Sequence, residues 1–202
     1  MEKDLWYQRD DKTQNITKYT KIKLQMWRCV DTLFFKPSLN IFSFWRIFLL
    51  KLFGAKIGKG CYISPLARIY MPWNLTMGSF SSIDDYVFIK DIEKVTIGDY
   101  VSISNFVHII TGGHDVRQRN FASLQIPIII ENGAFIGADS YISKGVIIGQ
   151  MAVIGEKSFV LKNVPENTIA FGNPCQIKNE RLSETEYKKY RYNYIKSSNG
   201  RN

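Results

Sequence analysis

From residue 130 onward an aliphatic side chain returns every six positions: Ile130, Ile136, Ile142, Ile148, Ile154 and Val160. Four places after the first five stand Ala134, Ser140, Val146, Ala152 and Ser158, all small or short. One place after stand Glu131, Gly137, Ser143, Gly149 and Gly155. The same period runs upstream in three lines of twenty residues starting at Lys56, through Ile57, Ile63, Ile69, then Met77, Ile83, Ile89, then Ile97, Ile103, Ile109. Each line opens on an apolar residue followed by glycine: Ile57-Gly58, Met77-Gly78, Ile97-Gly98. A helix would show a period of 3.6 and a half-buried strand a period of 2. A period of six fits a triangular coil in which each side is one short strand and a turn, with about eighteen residues per coil. The aliphatic residue points inward and stacks on its equivalents above and below. The small residue four places on also points inward. Glycine or a small polar residue is expected to ease the corner. Lines of twenty are then one coil plus two residues. A β-sandwich would need hairpin turns of the Asn-Gly type, but Asn132-Gly133 sits in phase with the hexads.

Three stretches depart from this rhythm. The segment "IITGGHDVRQRNF", residues 109–121, interrupts it and carries His114, one of only two histidines. The segment "LNIFSFWRIFLLKLFGA", residues 39–55, is the most apolar of the chain, but Arg46 and Lys51 divide it. Its uninterrupted runs fall well short of the roughly 20 residues that span a bilayer. It reads as a helix that either caps the domain core or touches a membrane surface. Residues 181–198 read as a polar terminal helix, in which Ser183 and Glu186 form a capping-box pattern. The chain thus divides into an N-terminal helical segment at 1–55, a coil domain at 56–175 and a C-terminal extension at 176–202 that is expected to be helical.

Composition narrows the function classes. With 45% hydrophobic and 22% charged residues the chain is a folded one. The formal charge of +9 gathers toward the ends and comes with no aromatic-and-basic motif, so a nucleic-acid partner is not expected. Cys29, Cys61 and Cys175 are far apart and form no CxxC pair, which argues against a disulfide framework or a zinc site and for a reducing, cytoplasmic compartment. The start "MEKDLWYQRDDKTQ" lacks the apolar core of a secretory signal. Zinc-dependent hydration of carbon dioxide needs about three histidines; one chain holds two, so a symmetric trimer would have to gather copies.

The pattern [LIV]-[GAED]-x-x-[STAV]-x resembles that of the hexapeptide acyltransferases, and the chain is most similar to the sugar O-acetyltransferases of exopolysaccharide and colanic-acid synthesis. The segments "WRIFLLKLFGAKIGKG", "MPWNLTMGSFSSIDD", "VSISNFVHIITGGHD" and the run from "PIIIENGAFIGADS" to "FGNPCQIK" carry the resemblance, over residues 43–181. It implies an all-β core, a left-handed parallel β-helix with an N-terminal helical segment, one extruded loop at about 111–127 and a C-terminal helix. It implies acetyl-CoA as acyl donor, no metal, and a sugar or lipid-linked saccharide as acceptor. Amino-sugar N-acetylation, serine O-acetylation and a non-catalytic scaffold are the alternatives. It also implies a homotrimer with its site between chains, working in the cytoplasm or at the inner face of the cell membrane.

Acetyl transfer from a thioester to a hydroxyl needs a base for the hydroxyl proton, and imidazole titrates near neutrality. The resemblance places the catalytic histidine on His114. Gly112 and Gly113 would let backbone and substrate approach closely. Asp115 either orients the imidazole and contacts substrate or is a plain loop carboxylate. His108 precedes the inward Ile109, so its side chain points outward and it is the weaker candidate. Asp84 aligns with a substrate-contacting Asn of the wider galactoside and maltose acetyltransferases, and it binds a sugar hydroxyl, supports the imidazole, or closes a turn. Asp85 is the next candidate. Donor-binding positions carried over from the family are Ala138, Glu156, Leu161, Lys162 and Lys178. Glu156 and Gln176 depart from the family pattern at the nucleotide end. The segment "NVPENTIAFGNPCQI" is expected to leave the coil in extended form.

Overall fold

The computed structural model describes residues 17–118 and 122–190. Its body is a left-handed parallel β-helix of about six turns. Three parallel sheets form the faces of a prism. Face A is built from Lys56–Ile57, Leu75–Met77, Val95–Ile97, Ile128–Ile130 and Ile147–Ile148. Face B begins at Tyr62–Ile63 and face C at Arg68–Ile69, each gaining one strand per coil. Lys56 pairs with Thr76, and Thr76 with Thr96, so the first coils advance by twenty residues. Phe135 pairs with Val153 and Tyr141 with Phe159, so the later ones advance by eighteen.

The inward set is the one the hexad period picks out. Ile63, Ile83, Ile103, Ile136, Ile142, Ile148 and Ile154 are fully buried, and Ala134, Ser140, Val146, Ala152 and Ser158 are buried beside them. Each such isoleucine contributes roughly 1.5–3 kcal/mol of apolar burial.

The glycine one place after the aliphatic residue has a different task from the one expected. It does not make the corner. Left-handed φ falls two residues later, at Phe80, Tyr100, Asp139, Met151 and Lys157. At Gly137 a Cβ would stand 2.6 Å from the backbone nitrogen of Glu156 in the next coil. That position is glycine because stacked coils leave it no room.

The two extra residues of the early coils both fall on the edge between faces C and A. There the first coil carries a short 3₁₀ turn, Pro72–Asn74, and the second residues 91–94. The third coil carries the long interruption on the same edge, so the register jumps from Ile97 to Ile130 and from Ser102 to Phe135. Among the described residues the insertions into the coil fall on this one edge.

Two helices close the first coil. α1, Lys18–Val30, is capped by Thr17, whose hydroxyl accepts from Thr20 N at 3.2 Å. α2, Ser43–Leu52, lays Leu49 and Leu50 on the end of the prism. Arg46 of α2 is wholly buried, with its charge spread over neutral acceptors: Ile63 O at 2.6 Å, Leu39 O at 2.8 Å, Asn40 O at 2.8 Å and Ser38 Oγ at 2.9 Å. It ties the helix, its entry turn and the first coil together.

At the other end the exit is not simply extended. Thr168–Phe171 adds a further parallel strand to face B, and the chain then turns back so that Gln176–Glu180 pairs antiparallel with it. Residues 184–190 are helical. The capping box closes as expected: Glu186 N donates to Ser183 Oγ at 3.4 Å and Ser183 N to Glu186 Oε2 at 3.1 Å. The rest of the expected terminal helix lies outside the described residues. Arg181 anchors the return by donating to Gly133 O and Met151 O, both at 3.0 Å.

Candidate active site

The interruption is a short antiparallel hairpin standing off the edge between faces C and A. Gly112–His114 pairs with Ser123–Gln125, His114 opposite Ser123. Its neck is closed by Ile126 N donating to Thr111 O at 3.0 Å. The foot is built by the coils below. Thr111 is buried, and its hydroxyl donates to Lys90 O and accepts from Glu93 N, both at 3.0 Å. Asn74 Nδ2 donates to Asp91 O at 2.8 Å and Ile92 O at 2.9 Å. Met71 N donates to Asp91 Oδ1 at 2.6 Å. Asp91 is fully buried, and burial pushes its carboxyl up to about 8, against which its backbone hydrogen bonds work. Ile92 lies under Gly112, and the Lys144 side chain lies against Gly113 from the coil above.

His114 is exposed on this hairpin. Asp115 is committed to the loop itself: Oδ1 accepts from Arg117 N at 3.0 Å and Oδ2 from Gln118 Nε2 at 3.1 Å. His108 points outward on face C, edge-on to Phe88 at 6.0 Å, in a ladder that continues to Tyr141 and Phe159.

The remaining sequence candidates divide between two edges. Asp84 and Asp85 follow Ser82–Ile83 on the edge between faces B and C. Asp84 is half-buried, and its carboxyl is pushed up by burial and then by the charge of Asp85. Asp85 accepts from the Ser64 hydroxyl of the coil below, and its N–H donates to Asn105 Oδ1 at 3.1 Å. It therefore helps hold the coils in register. Ala138 and the exposed Glu156 lie on this same edge, higher up. Leu161 and Lys162 follow the last strand of face C, on the edge that carries His114. Lys178 is on the returning strand, its Nζ 5.3 Å from the Phe171 ring centroid and 3.3 Å from Gln176 Oε1.

Within one chain the two groups do not meet. The width of face C separates them, on the order of 15 Å for about five extended residues. Asp91 and Lys144 escaped the sequence reading. Lys144 could have been found two places after the inward Ile142, one coil above the loop. Nothing in the local sequence marks Asp91 as buried, because it falls on an edge where the period is broken. Among the described residues no cluster of three His, Cys, Asp or Glu side chains is assembled.

A three-faced coil of hexads with a histidine hairpin on one edge is the architecture of the hexapeptide-repeat acyltransferases. Comparison with known proteins agrees. Residues 127–156 match the hexapeptide repeat of succinyl-transferase. The chain is 38% identical over 165 residues to the Escherichia coli (strain K12) protein named "Putative colanic acid biosynthesis acetyltransferase WcaF", covering 82% of this chain and 90% of that one. It superposes with a TM-score of 0.75 and 23% identity on a hexapeptide-repeat acetyltransferase of Vibrio cholerae complexed with acetyl coenzyme A, covering 83% of this chain and 92% of that one. It superposes on a galactoside acetyltransferase in complex with coenzyme A with a TM-score of 0.70 and 25% identity, covering 85% and 87% of the two chains. The chain belongs to the hexapeptide-repeat acetyltransferase family.

Proposed function

We propose that the protein transfers an acetyl group from acetyl-CoA to a hydroxyl of a sugar or polysaccharide precursor, with His114 as general base. The observation that carries this reading is the hairpin itself. An otherwise regular coil is interrupted once in its middle, and the interruption displays an imidazole. A ring nitrogen of His114 takes the hydroxyl proton while the oxygen bonds to the thioester carbonyl carbon. The carbon–sulfur bond then breaks, and the thiol leaves with a proton returned from the imidazolium.

The site is shared between chains of a homotrimer. Asp84, Ala138 and Glu156 stand on one edge, and His114, Leu161 and Lys162 on the next. Cyclic symmetry brings one edge of each chain to the other edge of its neighbour, three times over. Asp84 binds an acceptor hydroxyl or faces the imidazole of the neighbour, a role supported by its half-burial and by surroundings that make it more basic. Asp115 acts by shaping the loop, and Asp85 by holding the coil on which Asp84 sits. The donor fits the upper part of the same edges. Glu156, Leu161 and Lys162 are exposed there, and the ammonium of Lys178 stands over the Phe171 ring, suited to a nucleotide phosphate. Three free cysteines suit a reducing compartment, the cytoplasm.

The test is an acceptor screen. Purified protein and acetyl-CoA are offered free sugars, nucleotide sugars and lipid-linked oligosaccharides, with thiol release monitored. Release that depends on a sugar hydroxyl and is lost in His114→Ala is the expected result. Transfer only to amino sugars or serine, or release indifferent to His114→Ala, would overturn the reading.

A further inference from the structure

Helix α2 carries two apolar stripes where capping the prism needs one. The inner stripe, with Arg46, Leu49, Leu50 and Phe53, is buried on the first coil. The outer stripe is Phe44, Trp45, Phe48 and Leu52, continued into the preceding turn by Ile41. These follow the three-and-four spacing of one helix face. Ile41 is 77% exposed, Phe44 69%, Phe48 54% and Leu52 68%. The rings are ordered against one another: Trp45 stacks on Phe48 at 5.6 Å, and its indole N–H donates to Phe34 O at 3.1 Å. Leu33 and Phe34 extend the surface, around an open groove of about 430 Å³ that Phe42, Phe44 and Trp45 also line.

The segment that carries this surface is charged almost wholly with one sign. Residues 17–59 hold nine Lys or Arg and a single acid, Asp31, whereas the rest of the chain holds eighteen against seventeen. The segment that bears the bare stripe therefore carries a net charge of +8, nine basic residues less one acid. Lys51 flanks the stripe, and Lys56 and Lys59 follow at the end of the helix, all exposed. Docking against a second copy would bring two such cationic ends face to face. An anionic lipid surface offers the opposite charge together with an apolar layer beneath it. No described helix is long and apolar enough to cross a membrane.

We propose that the N-terminal cap seats the protein on an anionic membrane surface. The outer stripe of α2 enters the boundary between headgroups and acyl chains, and Lys51, Lys56 and Lys59 meet lipid phosphates. In the cyclic trimer proposed above all three caps lie at the same end, so three stripes address one plane and their weak affinities multiply. The consequence for function is geometric. The prism stands on the membrane by its first coil, and the hairpin of the third coil is held about two strand spacings, roughly 10 Å, above that coil.

The test is flotation of the full chain with phosphatidylcholine–phosphatidylglycerol vesicles and with phosphatidylcholine vesicles. Binding is expected to the mixed vesicles and to fall by about tenfold or more on neutral ones or at high salt. Phe44→Ser with Phe48→Ser should weaken binding by at least about tenfold, with melting and acetyl transfer to a soluble acceptor unchanged. Should that pair fail to fold, Lys51→Glu with Lys59→Glu decides the matter by the same readout. Absence of binding to either vesicle overturns the proposal, as does full binding by the variants. A larger assembly in sedimentation that the Phe substitutions disperse, without vesicle binding, overturns it in favour of self-association. Vesicle binding by a protein inactive on every acceptor would instead count against the proposed reaction and leave the docking standing.

Discussion

If the site is shared, two dead chains should make a partly live trimer. The perturbations are His114→Ala in one chain and Asp84→Ala in the other. The two residues stand on different edges of a prism whose face is on the order of 15 Å wide. Reacting groups must come within about 3–3.5 Å, and no rotamer of Asp or His spans the difference. On the proposed reading each site then takes its imidazole from one chain and its carboxylate from another. In trimers assembled from equal amounts of the two variants, a site works when its hairpin edge comes from an Asp84→Ala chain and its carboxylate edge from a His114→Ala chain. With random assembly about one site in four meets both conditions. The assay is thiol release by homotrimers of each variant and by trimers co-refolded from both, with differently tagged chains so that mixed assembly is verified. The expected result is near-zero rate for each variant alone and about a quarter of the wild-type rate for the mixture. Verified mixed trimers with no recovery would refute the shared site, and an active Asp84→Ala homotrimer would remove Asp84 from it.

Three further outcomes are expected. His114→Ala should lower kcat by about 10²–10⁴-fold with little change in acetyl-CoA affinity, while His108→Ala costs far less; steady-state kinetics and donor titration check this. Asp91, buried with its carboxyl raised to about 8, favours the folded state most below the ordinary carboxylate range, near pH 4, and loses that advantage as pH rises through about 8. Asp91→Asn should therefore flatten the fall in melting temperature between pH 5 and pH 8, and an unchanged slope would refute the assignment. Ile103→Ala, in a fully buried position of the stack, should cost about 2–5 kcal/mol in denaturant unfolding.

The coil was legible in the sequence because its core repeats. One aliphatic side chain per prism side, stacked on equivalents at fixed spacing, leaves a period that neither helix nor flat sheet can produce. The hairpin that carries His114 was legible for the opposite reason, as a stretch with glycines and a histidine where the period fails. The capping box of Ser183 and Glu186 was legible because capping is local. What the tertiary structure decided depends on neighbours distant in sequence. Gly137 is glycine because Glu156 passes 2.6 Å from where its Cβ would be, a contact nineteen residues away that no local turn rule reveals. The exit segment turns back on itself because face B offers a free edge to Thr168–Phe171 and then to Gln176–Glu180. Asp91 and Thr111 become the foot of the hairpin only when successive coils place them one above the other. The apolar run of residues 39–55 left capping and membrane contact as alternatives, since composition does not assign faces. The fold assigns the faces, burying Leu49 and Leu50 on the prism and leaving Phe44 and Phe48 exposed. The segregation of Asp84 from His114 was invisible in a linear pattern, because which edge a residue occupies depends on counting corners, and the corners are set by backbone geometry rather than by residue type.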